Sequence, residues 1–206
     1  MPQTRLIEAR VHGRYIIREG GPRLLIGFHG YAETADIHMA QLEQIPGSRD
    51  WTLVAVQALH PFYTRNDQTV VANWMTRLDR EHAIRDNIEY VRRVLADVGA
   101  STPLVFLGFS QGAAMAYRAA AHIPGDGLII LAGDLPPDVA AQDPVQVPPR
   151  IFIGRGKKDE WFTDEKLKKD LSFLRPVSQV TTLAFEGAHE WTTEFRTGAG
   201  RFLETV

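Results

Sequence analysis

The chain has 206 residues, of which 44% are hydrophobic and 23% are charged, and its formal net charge is −2. This length is sufficient for one substantial core, and we expect a single domain over residues 1–206. The charge balance argues against a basic surface for nucleic acid or for an anionic membrane. Because cysteine is absent, the sequence excludes disulfides, a cysteine nucleophile and thiolate metal sites.

Targeting signals are missing from the sequence. The first residues contain no apolar stretch of the secretory type, and no apolar run approaches transmembrane length. We therefore expect a cytoplasmic protein without stable membrane insertion and without a nucleic-acid partner. Composition does not decide the oligomeric state, so a homodimer stays open.

Short apolar runs alternate with amphipathic stretches along the chain. Strands over residues 6–11 and 15–18 are predicted to form a hairpin, and further strands are predicted over residues 24–28, 52–56, 104–109, 128–131, 151–153 and 180–185. Helices are predicted over residues 35–45, 79–98, 113–121, 163–174 and 192–203, and long loops over residues 57–76 and 132–150. This alternation predicts an α/β fold, with a mostly parallel sheet covered by helices on both faces.

The most informative motif is Gly108-Phe109-Ser110-Gln111-Gly112, which lies between a predicted strand and an alanine-rich helix. A strand, Gly-x-Ser-x-Gly and a helix make up the nucleophile elbow of α/β-hydrolases, in which small neighbours let the helix pass close to the strand. The motif therefore predicts that Ser110 is a catalytic nucleophile. The alternative is an ordinary turn serine.

A serine hydroxyl needs a base, usually histidine, oriented by a carboxylate, and in this layout the carboxylate and then the histidine follow the serine along the chain. His189 follows a predicted strand and is the last histidine of the sequence, so it is the predicted base. Asp159 follows the preceding strand and is the predicted acid. Glu160, Asp164 and Asp134 stay open as alternative carboxylates, and a surface or capping role stays open for His189.

The chain resembles the phospholipase/carboxylesterase family of α/β-hydrolases, which includes small bacterial carboxylesterases and acyl-protein thioesterases. The resemblance is carried by His29-Gly30-Tyr31, the motif around Ser110, Gly156-Lys157-Lys158-Asp159 and Gly187-Ala188-His189-Glu190. It implies an α/β-hydrolase fold, a triad of Ser110, Asp159 and His189, and an oxyanion hole made by the backbone N–H groups of Tyr31 and Gln111. The short segment between the strand that ends at Leu131 and the strand that begins at Ile151 predicts that there is no large lid. His29 is interpreted as a structural residue of its turn.

Aromatic residues and a methionine lie near the predicted site in the sequence. We predict a substrate pocket lined by Phe62, Trp74, Met75, Trp161 and Trp191, with filling of the core as the alternative for each. The predicted activity is hydrolysis of carboxylic esters of small or medium acyl chains through an acyl-enzyme, with no metal and no cofactor. A thioesterase or lysophospholipase with the same triad, and a catalytically silent binding protein of this fold, are the alternatives. The predicted partner is a small-molecule ester or thioester.

Overall fold

The computed structural model describes residues 2–99 and 102–206. Its strands are β1 Tyr15–Arg18, β2 Arg23–Phe28, β3 Trp51–Val56, β4 His60–Tyr63, β5 Val70–Asn73, β6 Leu104–Phe109, β7 Gly127–Leu131, β8 Arg150–Gly156 and β9 Gln179–Phe185. In the described residues, seven of them form one sheet in the order β1-β3-β2-β6-β7-β8-β9. Only β1 runs antiparallel to its neighbour in this sheet, so the carboxyl ends of the other strands meet at one edge.

Helices cover both faces of the sheet. They are α1 Ala35–Leu42, α2 Arg80–Val98, α3 Gln111–His122, α4 Pro137–Ala140, α5 Asp164–Leu174 and α6 Thr193–Leu203. Threonines at positions 34, 163 and 192 begin α1, α5 and α6, where each hydroxyl accepts a hydrogen bond from a backbone N–H of the first turn. These caps satisfy donors that have no partner within the helix, which explains where the three helices begin.

Two hydrophobic cores form because successive strand residues point to opposite faces of the sheet. Along β2, Leu24 and Ile26 enter the core that α2, α3 and α5 cover, whereas Leu25 enters the core under α1 and α6. The central strands are buried on both sides, which is the burial expected of a parallel sheet between two helical layers. The prediction of an α/β fold with this layering is confirmed.

The predicted hairpin at the N-terminus is wrong. Residues 6–11 form no strand, and Leu6, Ile7 and Val11 are exposed. β1 instead pairs with β3, which is distant in the sequence. The reason is that pairing with β3 lets Tyr15 and Ile16 pack against the two cores of the sheet, whereas pairing with residues 6–11 alone would leave both strands in water.

The segment over residues 57–76, predicted as a long loop, contains an antiparallel hairpin made by β4 and β5. It is joined to the turn after β2, since the Ala32 N–H donates to the Ala72 carbonyl and the Ala72 N–H donates to the Glu33 carbonyl. The hairpin thus stands at the carboxyl edge of the main sheet. Within the described part of the chain, none of the helices combines the length and apolar character needed to cross a bilayer.

Candidate active site

Ser110 stands in the sharp turn between β6 and α3, with φ 54° and ψ −119°. This backbone conformation is unusual for a residue with a side chain, and close packing on all sides maintains it. A Cβ atom at Gly108 would lie 2.3 Å from the Gly112 carbonyl oxygen, and one at Gly112 would lie 2.0 Å from the Phe28 carbonyl oxygen. Both glycines of the motif are therefore required by the approach of α3 to β6 and β2.

Three side chains from distant parts of the sequence meet at this turn. His189 Nε2 lies 2.7 Å from Ser110 Oγ, and His189 Nδ1 lies 2.9 Å from Asp159 Oδ2. A carboxylate can only accept, so a neutral His189 carries its proton on Nδ1 and leaves Nε2 to accept from the serine hydroxyl. The structure therefore brings together Ser110, His189 and Asp159 in the order in which a serine nucleophile needs them.

The Asp159 side chain is buried, and its second oxygen is occupied. Oδ1 accepts hydrogen bonds from the backbone N–H groups of Trp161, at 2.8 Å, and Phe162, at 2.9 Å. The Asp159 loop is also tied to the His189 loop, because the Lys158 N–H donates to the Gly187 carbonyl. The carboxylate therefore has a fixed orientation toward the imidazole.

The alternative carboxylates point elsewhere. Asp164 pairs with Lys168 at 2.8 Å, and Asp134 lies 3.5 Å from Lys166. Glu160 is exposed. In the residues that the structure describes, Asp159 is the carboxylate within hydrogen-bonding distance of His189.

The predicted oxyanion donors lie on two segments in close contact. Tyr31 is in the turn after β2, and Gln111 is the first residue of α3. A Cβ atom at Gly112 would lie 2.5 Å from the His29 carbonyl oxygen, which shows how closely the turn approaches the helix. Among the described residues, neither the Tyr31 N–H nor the Gln111 N–H has a hydrogen-bond acceptor. Both remain available to a ligand, and the positive end of the α3 dipole lies beside them.

The predicted pocket residues take up different places. Phe62 packs on the exposed Tyr31, with 5.4 Å between ring centroids, and the Trp161 ring lies 6.5 Å from the His189 ring. Trp191 is partly buried against Phe195, on the face of the sheet that α6 covers. For these residues a role in binding substrate stays a prediction.

The prediction that Trp74 lines the pocket is wrong. Its side chain is fully buried, and its ring packs edge-on against Phe28 at 5.5 Å. Its indole N–H donates to the His29 carbonyl at 2.8 Å. Apolar burial together with a satisfied indole N–H makes Trp74 a support beneath the site.

Three hydrogen bonds made by two side chains of the site could not be anticipated from the motifs. The Gln111 side chain accepts from the Trp74 N–H at 2.9 Å and donates to the Met75 carbonyl at 3.0 Å, so it holds the segment after β5 against α3. Glu33 Oε2 accepts from the Gly30 N–H at 2.7 Å. Nothing in the sequence distinguishes either side chain from an ordinary surface residue, because all three partners are backbone groups.

His29 has a structural environment. Its Nδ1 lies 2.7 Å from the Gly30 carbonyl oxygen, and its Nε2 accepts from the Ala58 N–H at 3.0 Å. Burial lowers the pKa of His29, although the contact with Gly30 opposes the shift. The imidazole is therefore held neutral, as a link between the turn after β2 and the segment after β3. No group of metal-ligating side chains occurs within residues 2–99 and 102–206.

A mostly parallel sheet between two helical layers, with a serine elbow at its carboxyl edge, defines an α/β-hydrolase. A family profile described as serine hydrolase (FSH1) matches residues 22–190. The chain belongs to this serine hydrolase family, and the prediction that it is an enzyme of the serine hydrolase class is confirmed.

Solved structures share the fold at low sequence identity. Esterase PE8 superposes with a TM-score of 0.79 at 18% identity, covering 95% of this chain and 100% of that chain. The Bacillus cereus carboxylesterase superposes with a TM-score of 0.73 at 16% sequence identity, covering 94% of each chain. Zea mays acyl-protein thioesterase 2 superposes with a TM-score of 0.72 at 16% sequence identity, covering 94% of this chain and 99% of that chain. No curated protein matches the chain. The resemblance predicted from the motifs is confirmed.

Proposed function

We propose that this protein hydrolyses carboxylic esters of small or medium acyl chains through an acyl-enzyme on Ser110. The observation that carries the proposal is the continuous contact from the Ser110 hydroxyl through the His189 imidazole to the buried Asp159 carboxylate. Membership of a serine hydrolase family supports it, as do esterases and a thioesterase among proteins of the same fold.

In the proposed mechanism, His189 Nε2 takes the hydroxyl proton while Ser110 Oγ attacks the ester carbonyl carbon. Asp159 keeps the second imidazole proton on Nδ1 and stabilises the imidazolium that forms. The N–H groups of Tyr31 and Gln111 donate to the oxyanion of the tetrahedral intermediate. His189 then gives its proton to the departing alcohol, which leaves an acyl-enzyme and a neutral imidazole.

Deacylation repeats the same steps with water. His189 Nε2 takes a proton from the water that attacks the acyl-enzyme, and it returns this proton to Ser110 Oγ as the acid departs. The proton that Ser110 loses to the alcohol is replaced by one from water, so the triad returns to its starting state with water as the only co-reactant. A thioester would follow the same course with a thiol as leaving group, and a lysophospholipid with a glycerol hydroxyl.

An activity-based fluorophosphonate probe tests whether Ser110 is activated, since only an activated serine is labelled rapidly. We expect labelling of the wild type, none in Ser110→Ala and a strong reduction in His189→Ala. Asp159→Asn should lower kcat by about 10³–10⁴-fold, because the amide favours the wrong imidazole tautomer. Glu160→Gln, an exposed neighbour, is the matched control and should keep wild-type kinetics.

A series of p-nitrophenyl esters of increasing acyl length, with a thioester of matched chain, defines the substrate class. The expected result is the highest kcat/KM for a short or medium chain. Ester hydrolysis that survives in Ser110→Ala would overturn the proposal. A wild type that neither reacts with the probe nor hydrolyses any ester would instead support a catalytically silent binding protein.

We also propose that the chain acts as a single α/β-hydrolase domain. Both hydrophobic cores lie against the same sheet, and the strands that carry Ser110, Asp159 and His189 all belong to it. Limited proteolysis of the folded protein should release no stable fragment that lacks one of these strands.

A further inference from the structure

A cavity of about 260 Å³ opens beside the first residue of α3, and three of the seven residues that line it are arginines. The side chains that matter for its chemistry are Met75, Arg77, Arg80, Gln111, Ala114 and Arg118. Gln111, Ala114 and Arg118 lie on one face of α3, because residues three and four apart are neighbours on a helix. The cavity therefore starts next to a proposed oxyanion donor and runs along the helix that Ser110 begins.

The charge of the cavity is positive. Arg118 is only 1% exposed and forms a bidentate pair with Asp138, through Nε and Nη2, both at 2.7 Å. Arg77 and Arg80 are exposed, and neither forms an ion pair within the described part of the chain. Three guanidinium groups are therefore balanced by one carboxylate.

The buried guanidinium also has unused donor capacity. Nη1 of Arg118 has the Met75 sulfur, at 3.5 Å, as its acceptor in the structure. A thioether is a weak acceptor, and each terminal nitrogen of a guanidinium carries two N–H groups. Because Nε and Nη2 already bind Asp138, the donor left for a ligand is Nη1, and an anion could accept from it together with the neighbouring arginines.

The position of the cavity indicates which part of an ester would enter it. The alcohol must leave beside His189, which protonates it, and His189 follows β9. The cavity is bounded instead by the segment that follows Trp74. Trp74 packs on Phe28 at the end of β2, and β2 and β9 lie on opposite sides of β6 in the sheet. Gln111 follows Ser110 and also lines the cavity, so an acyl chain that points away from His189 would pass Gln111 to reach the arginines.

We propose that this cavity binds an anionic group, a carboxylate or a phosphate, at the far end of the acyl chain of the substrate. The inference rests on the proposed ester hydrolysis and specifies its substrate class. From Gln111 to Arg118 the helix rises by roughly 10 Å, and a long side chain turns back toward the helix N-terminus. The acyl chain thus needs several carbons between the reacting carbonyl and the anion.

The test compares mono-p-nitrophenyl adipate with p-nitrophenyl heptanoate. The heptanoyl chain is neutral, and its seven carbons match the six carbons and one carboxylate oxygen of the adipate chain in length. A phosphonate-terminated ester of the same length forms a third arm, and its rank against the adipate tells which anion is preferred. At low salt we expect the wild type to favour an anionic ester by about tenfold in kcat/KM, which is the effect of one charge-assisted hydrogen bond. The preference should shrink toward unity in about 1 M NaCl, because salt screens charges at exposed arginines.

The double substitution Arg77→Gln, Arg80→Gln should lower the ratio of anionic to neutral kcat/KM by roughly tenfold. Arg85→Gln is the matched control, since Arg85 is exposed on the same helix as Arg80 but does not line the cavity, and it should keep the wild-type ratio. An active wild type with a ratio of one or less, or a ratio that survives the double substitution, overturns the inference. Failure to hydrolyse any of the three esters would count against the proposed function instead.

Discussion

Glu33 is a partly buried carboxylate within the turn that carries the proposed oxyanion donor Tyr31. Its Oε2 accepts from the Gly30 N–H, and its backbone carbonyl accepts from the Ala72 N–H on β5. Burial raises the pKa of Glu33, while the Gly30 hydrogen bond and the nearby His189 oppose this shift. The side chain therefore holds the turn without touching the reacting atoms, so we interpret it as a positioning residue.

Substitution of Glu33 tests that interpretation. Glu33→Ala leaves the Gly30 N–H without an acceptor, so the turn should loosen and kcat on a short p-nitrophenyl ester should fall by about tenfold, with KM nearly unchanged. Glu33→Gln keeps an amide oxygen for this N–H and should restore most of the lost kcat. Steady-state kinetics of the three proteins are the measurement. If both variants lose the same activity, the charge matters and not the hydrogen bond to the turn.

At the scale of elements, the approach of α3 to β2 determines whether the site can form. The three atoms nearest to a Cβ atom at Gly112 would all be backbone atoms of Phe28 and His29. Gly112→Ala must therefore push α3 away from the turn after β2, which separates Gln111 from Tyr31. We expect a loss of about 2–3 kcal/mol in the free energy of unfolding, and activity should fall further than this loss explains.

Gly127→Ala is the control for this substitution. A Cβ atom there would meet the Phe202 ring at 3.0 Å and the Val105 side chain at 3.2 Å, and both are side chains that can shift. Urea unfolding should show a smaller loss of stability, and activity should follow the folded fraction. Equal effects of the two substitutions would mean that the backbone contact at Gly112 has no special part in the site.

The elements that carry the site were predictable because each is marked locally. The motif around Ser110 requires its glycines for backbone contacts, and the apolar runs before Asp159 and His189 identify the strands that bring them to one edge. The partners of β1 and the position of Trp74 were not predictable, because both depend on residues distant in the sequence. The β4–β5 hairpin is local in the sequence, and it was missed because of its proline. Pro61 argues against a strand, and here it stands in a strand outside the main sheet.

At the scale of the whole molecule, two buried ionisable groups make stability depend on pH in opposite directions. Burial lowers the pKa of His38 to about 3, helped by the nearby His29. The unfolded chain then binds more protons than the native state, so this group lowers stability as the pH falls below about 6.5. Burial raises the pKa of Asp170 to about 7, although a hydrogen bond from the Leu135 N–H opposes the shift.

Asp170 therefore acts in the opposite direction to His38, over nearly the same pH range. Between pH 3.8, its ordinary pKa, and about pH 7 the native state binds more protons than the unfolded chain, so its contribution to stability falls as the pH rises. Asp170→Asn removes the ionisation and keeps an amide oxygen for the Leu135 N–H. From about pH 5 to about pH 8, the free energy of unfolding of the variant should rise by about 2–3 kcal/mol relative to that of the wild type. Urea unfolding of both proteins at the two pH values is the measurement.

Asp86→Asn is the matched control, because Asp86 is an exposed carboxylate on α2 and its removal changes the net charge equally. It should leave the pH dependence of stability unchanged. Parallel stability curves for Asp170→Asn and the wild type would show that Asp170 titrates normally in the native state. Since His38 and Asp170 act in opposite directions between about pH 4 and pH 6.5, the wild-type curve alone would hide the effect. Only the difference between the variant and the wild type isolates the contribution of the buried carboxylate.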